Sequence, residues 1–474
     1  MILPLAVLGS DGAETSIQDT SLSMREAIDL ALHNSPRLQD AQLGLKIAKG
    51  QVWEAWSNVL PSVQTNASYS HSLIKQEMFL PGFLIPGADP DELVTVQIGA
   101  DNVWGAGVSV SQPLFDARAF IGVGTSGRVK QLREEMVRGT TQAVVTGVRQ
   151  GFLTALLAVE RVNLTEGSLA RVRQSLEEAE ALHRSGLASN YDVLRLDVQL
   201  ANLDAELHRA KVLEEAAGRN LLVELALPVD TKIVLEGNLH LMEIESTDSN
   251  TTENLDLLEM IGQEFTADNL DELLISGREN RSDLRQLNIT TSLERARMYA
   301  QFSEYFPTLA LFYNHNLNAQ AGGEPDPLAY RDAQETEFAV AGVNLQFPLF
   351  SGFARTARMQ QRRAAVRQSQ VRHRFQEQLA ASQLRNLLAD LEDSGYRAKS
   401  SKRALEQARR GYEIAAAEYR TGVGSQLQVT DAEVALRQSE FNYSSAIFEY
   451  LMVRTQLDAA TGLVPAHFSE LVAN

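Results

Sequence analysis

The sequence predicts a mainly α fold with a β-barrel part, assembled from one strand-helix-hairpin unit used twice. Three observations carry this prediction. The chain repeats itself once, two long proline-free spans step their apolar residues by three and four, and short period-two segments precede each span. With 474 residues, 44% apolar and 22% charged, the composition is that of a folding chain. The net charge of -18, from 43 basic against 61 acidic residues, argues against general nucleic-acid affinity and against polybasic attachment to anionic lipid. Cysteine is absent, which excludes disulfides, thiolate metal sites, a cysteine nucleophile and a lipid-modified N-terminal cysteine. No stretch reaches the roughly 18 uninterrupted apolar residues of a membrane-spanning helix, whereas alternating barrel strands escape such a scan.

Residues 1–8 are apolar but lack the basic flank and length of a secretory signal, so residues 1–21 are read as a leader remnant or extension. The duplication then organises the chain. Residues 34–63 align without a gap on 280–309, placing Leu38 on Leu284, Ser57 on Ser303 and Pro61 on Pro307. Residues 107–115 match 342–350 at five of nine positions. Arg184-Ser185-Gly186-Leu187-Ala188-Ser189 matches Arg420-Thr421-Gly422-Val423-Gly424-Ser425, followed by Val193 on Val429 and Leu200 on Leu436. The domains are accordingly residues 22–228 (first repeat), 229–268 (acidic connector), 269–465 (second repeat) and 466–474 (tail).

No proline occurs from 114 to 227 or from 349 to 464, and long helices fit both spans. Leu169, Val172, Leu176 and Ala179, with Leu405, Ala408, Tyr412 and Ala415 at the matching places, form a coiled-coil seam. Gly186 and Gly422 break the spans into helical hairpins. Residues 116–185 and 351–421 would each make a rod of about 105 Å, while 23–58, 190–226, 269–303 and 426–461 would each run about 55 Å. Two short rods therefore stack beside each long one, which predicts an elongated molecule.

After Pro61, Val63, Thr65, Ala67 and Tyr69 alternate with Gln64, Asn66, Ser68 and Ser70; after Pro307, Leu309, Leu311, Tyr313 and His315 alternate with Ala310, Phe312, Asn314 and Asn316. The return segments place Val108 and Val110, or Val343, Leu345 and Phe347, on one face. Apolar-out, polar-in alternation suits strands between lipid and water. The intervening segments, 72–102 and 317–336, are read as turn-rich surface loops. Four strands cannot close a membrane barrel, since single-chain barrels need about eight or more and open edges leave backbone groups unpaired in lipid. Three copies would supply twelve strands, with their helical hairpins closing a tube.

Strand pair, long helix, glycine turn and stacked short helices, used twice, resemble the TolC family of outer-membrane efflux proteins over nearly the whole chain. The carrying segments are Leu22-Ser23-Met24-Arg25-Glu26-Ala27-Ile28 with Asn34-Ser35-Pro36, Gln112-Pro113-Leu114-Phe115, Phe347-Pro348-Leu349-Phe350 and Tyr419-Arg420-Thr421-Gly422. The resemblance implies a homotrimeric α-helical barrel capped by a 12-stranded transmembrane β-barrel, four strands per protomer. It also implies a periplasmic adaptor (membrane fusion) protein and an inner-membrane pump that supplies the energy, with no catalytic site and no cofactor. In the family, acids six and nine residues after the second turn glycine form rings at an exit gate. Here those places hold Gln428 and Asp431, so one ring of carboxylates is expected where the family has two. Tyr419 and Asp192 occupy the places of a latch, while Gly424 stands where a basic latch residue is found. A solvated helix-face carboxylate is the competing reading of Asp431. The tips Gly186, Leu187, Ala188 and Gly422, Val423, Gly424 are assigned to adaptor docking; any helical hairpin wants the glycines, but not exposed Leu187 and Val423.

Other signals weigh less. Arg355, Arg358, Arg362, Arg363, Arg367, Arg372 and Arg374 lack interleaved aromatics, so a solvated or channel-lining face is preferred to nucleic-acid binding. Residues 122–127 imitate a phosphate-binding glycine motif without the βαβ unit it needs. The eight histidines form no i, i+4 pair, so metal or acid-base catalysis has no constellation. Residues 233–277 carry eleven acids and no Lys or Arg, and residues 232–235 add a strand. The resulting expectation is a passive efflux or secretion channel in the outer membrane of a Gram-negative bacterium, extending into the periplasm. The alternative from another class is a soluble homo-oligomeric coiled-coil scaffold or adaptor, and an enzyme ranks last.

Overall fold

The computed structural model describes residues 21–239, apart from 88 and 90, and residues 269–463, apart from 329, 331 and 332. The extension before residue 21, most of the acidic connector (240–268) and the tail at 466–474 lie outside the described residues. Strand β1 (Ser21–Leu22) leads into helices α1 (Met24–Asn34) and α2 (Pro36–Ser57), then strands β2 (Ser62–His71), β3 (Gln76–Pro81), β4 (Leu93–Ile98) and β5 (Asn102–Phe115). Helices α3 (Ala117–Arg184) and α4 (Asn190–Glu224) follow, then strand β6 (Val234–Leu235). The second half runs α5 (Leu270–Asn280), α6 (Ser282–Phe302), β7 (Thr308–Ala321), β8 (Gln334–Gln346), α7 (Ala354–Arg420) and α8 (Gln426–Thr461). The chain divides into two compact units, one from Met1–Leu45, Leu132–Asn288 and Val371–Asn474, the other from Lys46–Gln131 and Ile289–Gln370.

Two expected helices are each split in two. Pro36 lacks an N–H and disfavours helical geometry in the residue before it. Ser35 is accordingly extended (φ -56°, ψ 117°), and a new helix starts at Pro36. The break recurs at the duplicated position without a proline, because Arg281 adopts φ -63°, ψ 123°. Its guanidinium is held by Asp283 at 3.1 and 3.0 Å, and Ser282 Oγ donates to Glu135 O at 2.6 Å. The segment 72–102 is also more ordered than a loop: β3 and β4 pair antiparallel there, Gln76 opposite Ile98. On the other side β7 continues through Ala321 and β8 begins at Gln334, so strand takes in both ends of 317–336; Phe347 lies just past the end of β8.

In the second unit four strands form one antiparallel sheet in the order β2-β5-β7-β8. Register runs Val63 opposite Val110, Val110 opposite Tyr313, and Tyr313 opposite Ala341. The two glycines of the repeated motif serve close packing here. A side chain on Gly107 would strike Asn66 and Asn316, and one on Gly342 would strike the Phe312 ring.

In the first unit the expected seam is present. Leu169, Val172 and Ala179 of α3 bury against Leu196 and Leu203 of α4, flanked by Leu176, Val193, Leu200 and Leu207. Leu405, Leu436 and Tyr443 join a larger core containing Val144, Val148, Phe152 and Leu153. Each fully buried Leu or Phe contributes roughly 2 kcal/mol. That core explains why α3, by length and composition apolar enough to cross a membrane, has 44% of its apolar window buried within the protein. β1 and β6 pair in parallel beside it, Leu22 opposite Leu235.

One ion pair of this unit is fully inside. Arg149 Nη1 lies 2.8 Å from Asp458 Oδ2, with side chains 3% and 9% exposed. Desolvation pushes the Asp458 carboxyl from 3.8 up to about 6, against the pull of Arg149. The folded-state value stands above the unfolded one, so the contribution of this group to stability is complete below about pH 4 and lost as pH rises through about 6. We therefore expect the stability difference between wild type and Asp458→Asn to shift by about 3 kcal/mol across that window, read from thermal unfolding of both proteins at a series of pH values. A difference that does not change with pH would remove Asp458 as its source.

Candidate functional site

Two places gather the sequence-predicted residues: the four-stranded sheet and the turns of the helical hairpins. On the sheet, directly paired residues share a face. By register, Val63, Val108, Val110, Leu309, Leu311, Val343 and Leu345 all lie on one face, with Leu311 opposite Val343 and Leu309 opposite Leu345. The other face carries Gln64, Asn66, Ser68, Ser109, Asn314, Asn316, Asn318 and Asn344. Neither face is pure. His315 on the apolar face meets Glu337 at 2.9 Å, and Phe312, Phe338 and Val340 sit among the amides.

Below the sheet in the same unit, Arg355 is buried rather than solvated. Its guanidinium donates to Ser351 Oγ at 3.0 Å and to the carbonyls of Glu304 and Leu349 at 3.1 Å each, and lies 5.0 Å from the Tyr305 ring centre. Arg358 and Arg118 reach the Glu304 carboxylate at 2.8 and 2.5 Å. This part of the arginine run fastens the start of α7. Residues 122–127 lie inside α3, so the glycine motif there is helix and offers no phosphate loop.

At the hairpin turns the two repeats use one design. Gly186 N–H donates to His183 O and Leu187 N–H to Leu182 O, both at 2.9 Å; Gly422 and Val423 donate to Tyr419 O and Glu418 O at 3.0 Å. These are Schellman endings, and both glycines stand at φ +79°, where a side chain is strained. Leu187 and Val423 are 78% and 82% exposed. Ala188 and Gly424 follow them, and Gly424 packs so close that an added side chain would sit 3.0 Å from Glu418 Cβ. A basic latch residue at that position would need the backbone to shift.

Each second helix opens with a capping box that the sequence reading overlooked. Ser189 Oγ donates to Asp192 Oδ2 at 2.8 Å while accepting from Asp192 N–H, and Ser425 N–H donates to Gln428 Oε1 at 2.8 Å while its hydroxyl accepts from Gln428 N–H. The signal was visible as Ser-x-x-Asp and Ser-x-x-Gln after the turn. Asp431 is exposed and faces Arg195 of α4 at 3.7 Å. The Tyr419 hydroxyl is out of solvent and makes no hydrogen bond among the described residues. Burial, then the Asp192 and Glu178 carboxylates, push its pKa up, so Asp192 is close to Tyr419 without being bonded to it.

Further along the same helices, a polar cluster joins the two repeats. Ser168 of α3 and Gln199 of α4 both donate to the buried Glu433 of α8, Gln199 at 3.2 Å. Arg171 lies 3.6 Å from Glu433 and 3.0 Å from Glu440, and Arg437 lies 2.6 Å from Glu206. Glu433 falls between Val429 and Leu436 on the apolar stepping, so a lone charge on a buried stripe was its signal.

The profile of the family described as "Outer membrane efflux protein" matches residues 27–221 and 273–463. Among curated proteins, the chain is 23% identical over 352 residues to the proteases secretion protein PrtF of Dickeya chrysanthemi, covering 74% of this chain and 68% of that one. It is 21% identical over 472 residues to the outer membrane protein TolC of Vibrio cholerae, covering 97% and 95%. Its fold is similar to the open state of the MtrE outer membrane channel of Neisseria gonorrhoeae, with TM-score 0.71, 17% identity and 98% of each chain covered. The two stretches matched by the profile take in most of the chain, so this protein belongs to the outer membrane efflux protein family, the channels of efflux and secretion in the outer membrane.

Proposed function

We propose that three copies pair β2 of one with β8 of the next to close a twelve-stranded barrel in the outer membrane. Their helices then form a periplasmic tube through which an inner-membrane pump, joined by an adaptor, passively exports its cargo. The observation that carries this reading is the two-faced sheet: apolar residues on one side, Ser, Asn and Gln on the other, and outer strands of 10 and 13 residues. Alternation of this kind fits a wall between lipid and a watery lumen. The gate is assigned to the hairpin turns, with Asp431 as the ring-forming carboxylate, Gln428 leaving its own ring uncharged, and Tyr419 beside Asp192 as a contact between repeats. The exposed Leu187 and Val423, with the glycines that turn the chain behind them, are assigned to the adaptor. An exposed apolar residue at a tip is suited to burial in a partner.

Lysine substitutions test the sheet assignment directly. Val343→Lys should lower the yield of inserted, heat-resistant oligomer, because a lysine facing lipid costs about 2–4 kcal/mol at the midplane. Asn344→Lys, one residue along and on the other face, should insert normally. Equal behaviour of the two variants would contradict the lipid-facing assignment. For the gate, planar-bilayer recordings of purified protein should show Asp431→Ala with higher conductance or weaker cation preference than wild type; identical current and selectivity would remove Asp431 from the gate. For the tips, the Leu187→Asp, Val423→Asp double variant should lose co-purification with the adaptor while keeping its oligomeric mass in detergent. Undiminished co-purification would reject the docking role.

A further inference from the structure

Within the second unit, α3 and α6 enclose a groove of about 490 Å³ immediately beneath the sheet. Its walls are Ala117, Ile121, Ala296, Tyr299, Phe302 and Phe306, and among the described residues its charged lining is Arg128 and Arg295. The hydroxyls of Thr125 and Ser303 also line it, but donate to carbonyls of their own segments, Ile121 O and Ala300 O at 2.7 Å each. No ion pair engages either arginine among the described residues. The groove is polarised along its length. Ala117 lies two residues past the end of β5 and Phe306 two residues before β7, so the aromatic end adjoins the sheet. Arg128 is eleven residues down α3, about 16 Å from that end.

We propose that this groove holds an anionic phospholipid of the periplasmic leaflet, its phosphate between Arg128 and Arg295 and an acyl chain along Phe302, Phe306 and Ile121. The inference rests on the reading of the sheet as the membrane-embedded wall. Two considerations lead to a lipid. The first is depth. The apolar face of β7 from Leu309 to Leu317 spans nine residues and eight rises, about 19 Å of height for a strand tilted about 45°, whereas the apolar band of such barrels is about 25 Å tall. Several ångströms of hydrocarbon must therefore meet the helix ends, where Phe302 and Phe306 are exposed. Arginines roughly one headgroup layer further down can extend upward to the phosphates. The second is position. β5 and β7 are the central strands and β2 and β8 the outer ones, so a groove beneath the central pair lies away from the edges where a second copy would join. The net charge of the chain is -18, but the charged residues that line the groove are both arginines, and two guanidiniums over an apolar cleft complement a negatively charged amphiphile.

The test counts lipid on detergent-purified, delipidated protein by native mass spectrometry during titration with dioleoylphosphatidylglycerol and, in parallel, dioleoylphosphatidylcholine. Wild type should retain one phosphatidylglycerol per chain at concentrations where phosphatidylcholine is lost. Arg128→Gln with Arg295→Gln should weaken phosphatidylglycerol binding by roughly ten-fold or more, given the attraction each basic side chain exerts on anionic lipid. Arg128→Lys with Arg295→Lys should recover most of it. Both arginines are exposed, so these variants are expected to fold. Equal retention by the glutamine variant, absence of a phosphatidylglycerol preference in wild type, or displacement of the lipid by millimolar inorganic phosphate would each overturn the proposal. So would loss of oligomeric mass in the glutamine variant with lipid counts unchanged, which would assign the groove to a second copy. Bilayer conductance of the same samples separates the two readings. A wild type that conducts without lipid preference removes the groove site alone, whereas one that forms no channel removes the membrane-wall reading and this inference with it.

Discussion

Inside hydrocarbon, a peptide N–H or C=O without a partner costs several kcal/mol, and in the proposed membrane wall that demand falls on β2 and β8. The inner strands β5 and β7 are paired on both sides, while among the described residues the outer two each offer a row of backbone groups without a strand partner. Four strands are too few to curl into a barrel with room for side chains. The alternation of faces adds a second demand, since a sheet with valines and leucines on one side and asparagines on the other is stable only between unlike solvents. Joining outer strands of neighbouring copies meets both at once, which is why the proposed trimer follows from the sheet rather than from the helices.

The helical unit solves a different problem. An apolar seam such as Leu169, Val172, Leu196 and Leu203 is permissive about register, because a helix displaced by a heptad meets a similar surface. Glu433 is not permissive. Ser168, Gln199 and Arg171 converge on it from two helices of the other repeat, and displacement would leave a buried carboxylate unpaired, a loss of about 3–5 kcal/mol. Arg149 and Asp458 impose the same condition between α3 and α8. The apolar contacts supply most of the stability and the polar ones select one alignment.

Duplication, long helices, glycine turns and the two-faced strands were legible because each depends on local chemistry: periodicity, proline exclusion and the left-handed conformation of Gly186 and Gly422. The split at Ser35 was legible in principle from Pro36, but its counterpart at Arg281 was not, because no proline marks it: Asp283 holds the Arg281 guanidinium locally and Ser282 reaches Glu135, a contact made far along the chain. The β3–β4 hairpin was hidden by the Gly and Pro residues of its own connection, which made the whole segment read as loop. Of the candidate site, the side to which each strand residue points was readable from period two alone. The polar cluster around Glu433 was not, since its partners depend on how α3, α4 and α8 align. Arg355 looked solvated because the carbonyls that hold it, from Glu304 and Leu349, carry no sequence signature.

The capping boxes change how the turn residues should be weighed. Asp192 and Gln428 occupy equivalent places, six residues after their turn glycines, and each uses a side-chain oxygen to satisfy the backbone N–H or hydroxyl of a serine. An acid in this position has two roles, since it completes the helix start and projects negative charge at a helix N-terminus, where the dipole favours it. Glutamine keeps the first role and abandons the second, because its amide oxygen accepts the same bond without a formal charge. The geometry of the second hairpin is therefore insulated from the loss of a carboxylate at Gln428. In the proposed gate, charge at this level can vary while the helical frame stays fixed, and the remaining carboxylate, Asp431, lies one turn further along α8 on a surface that no cap constrains.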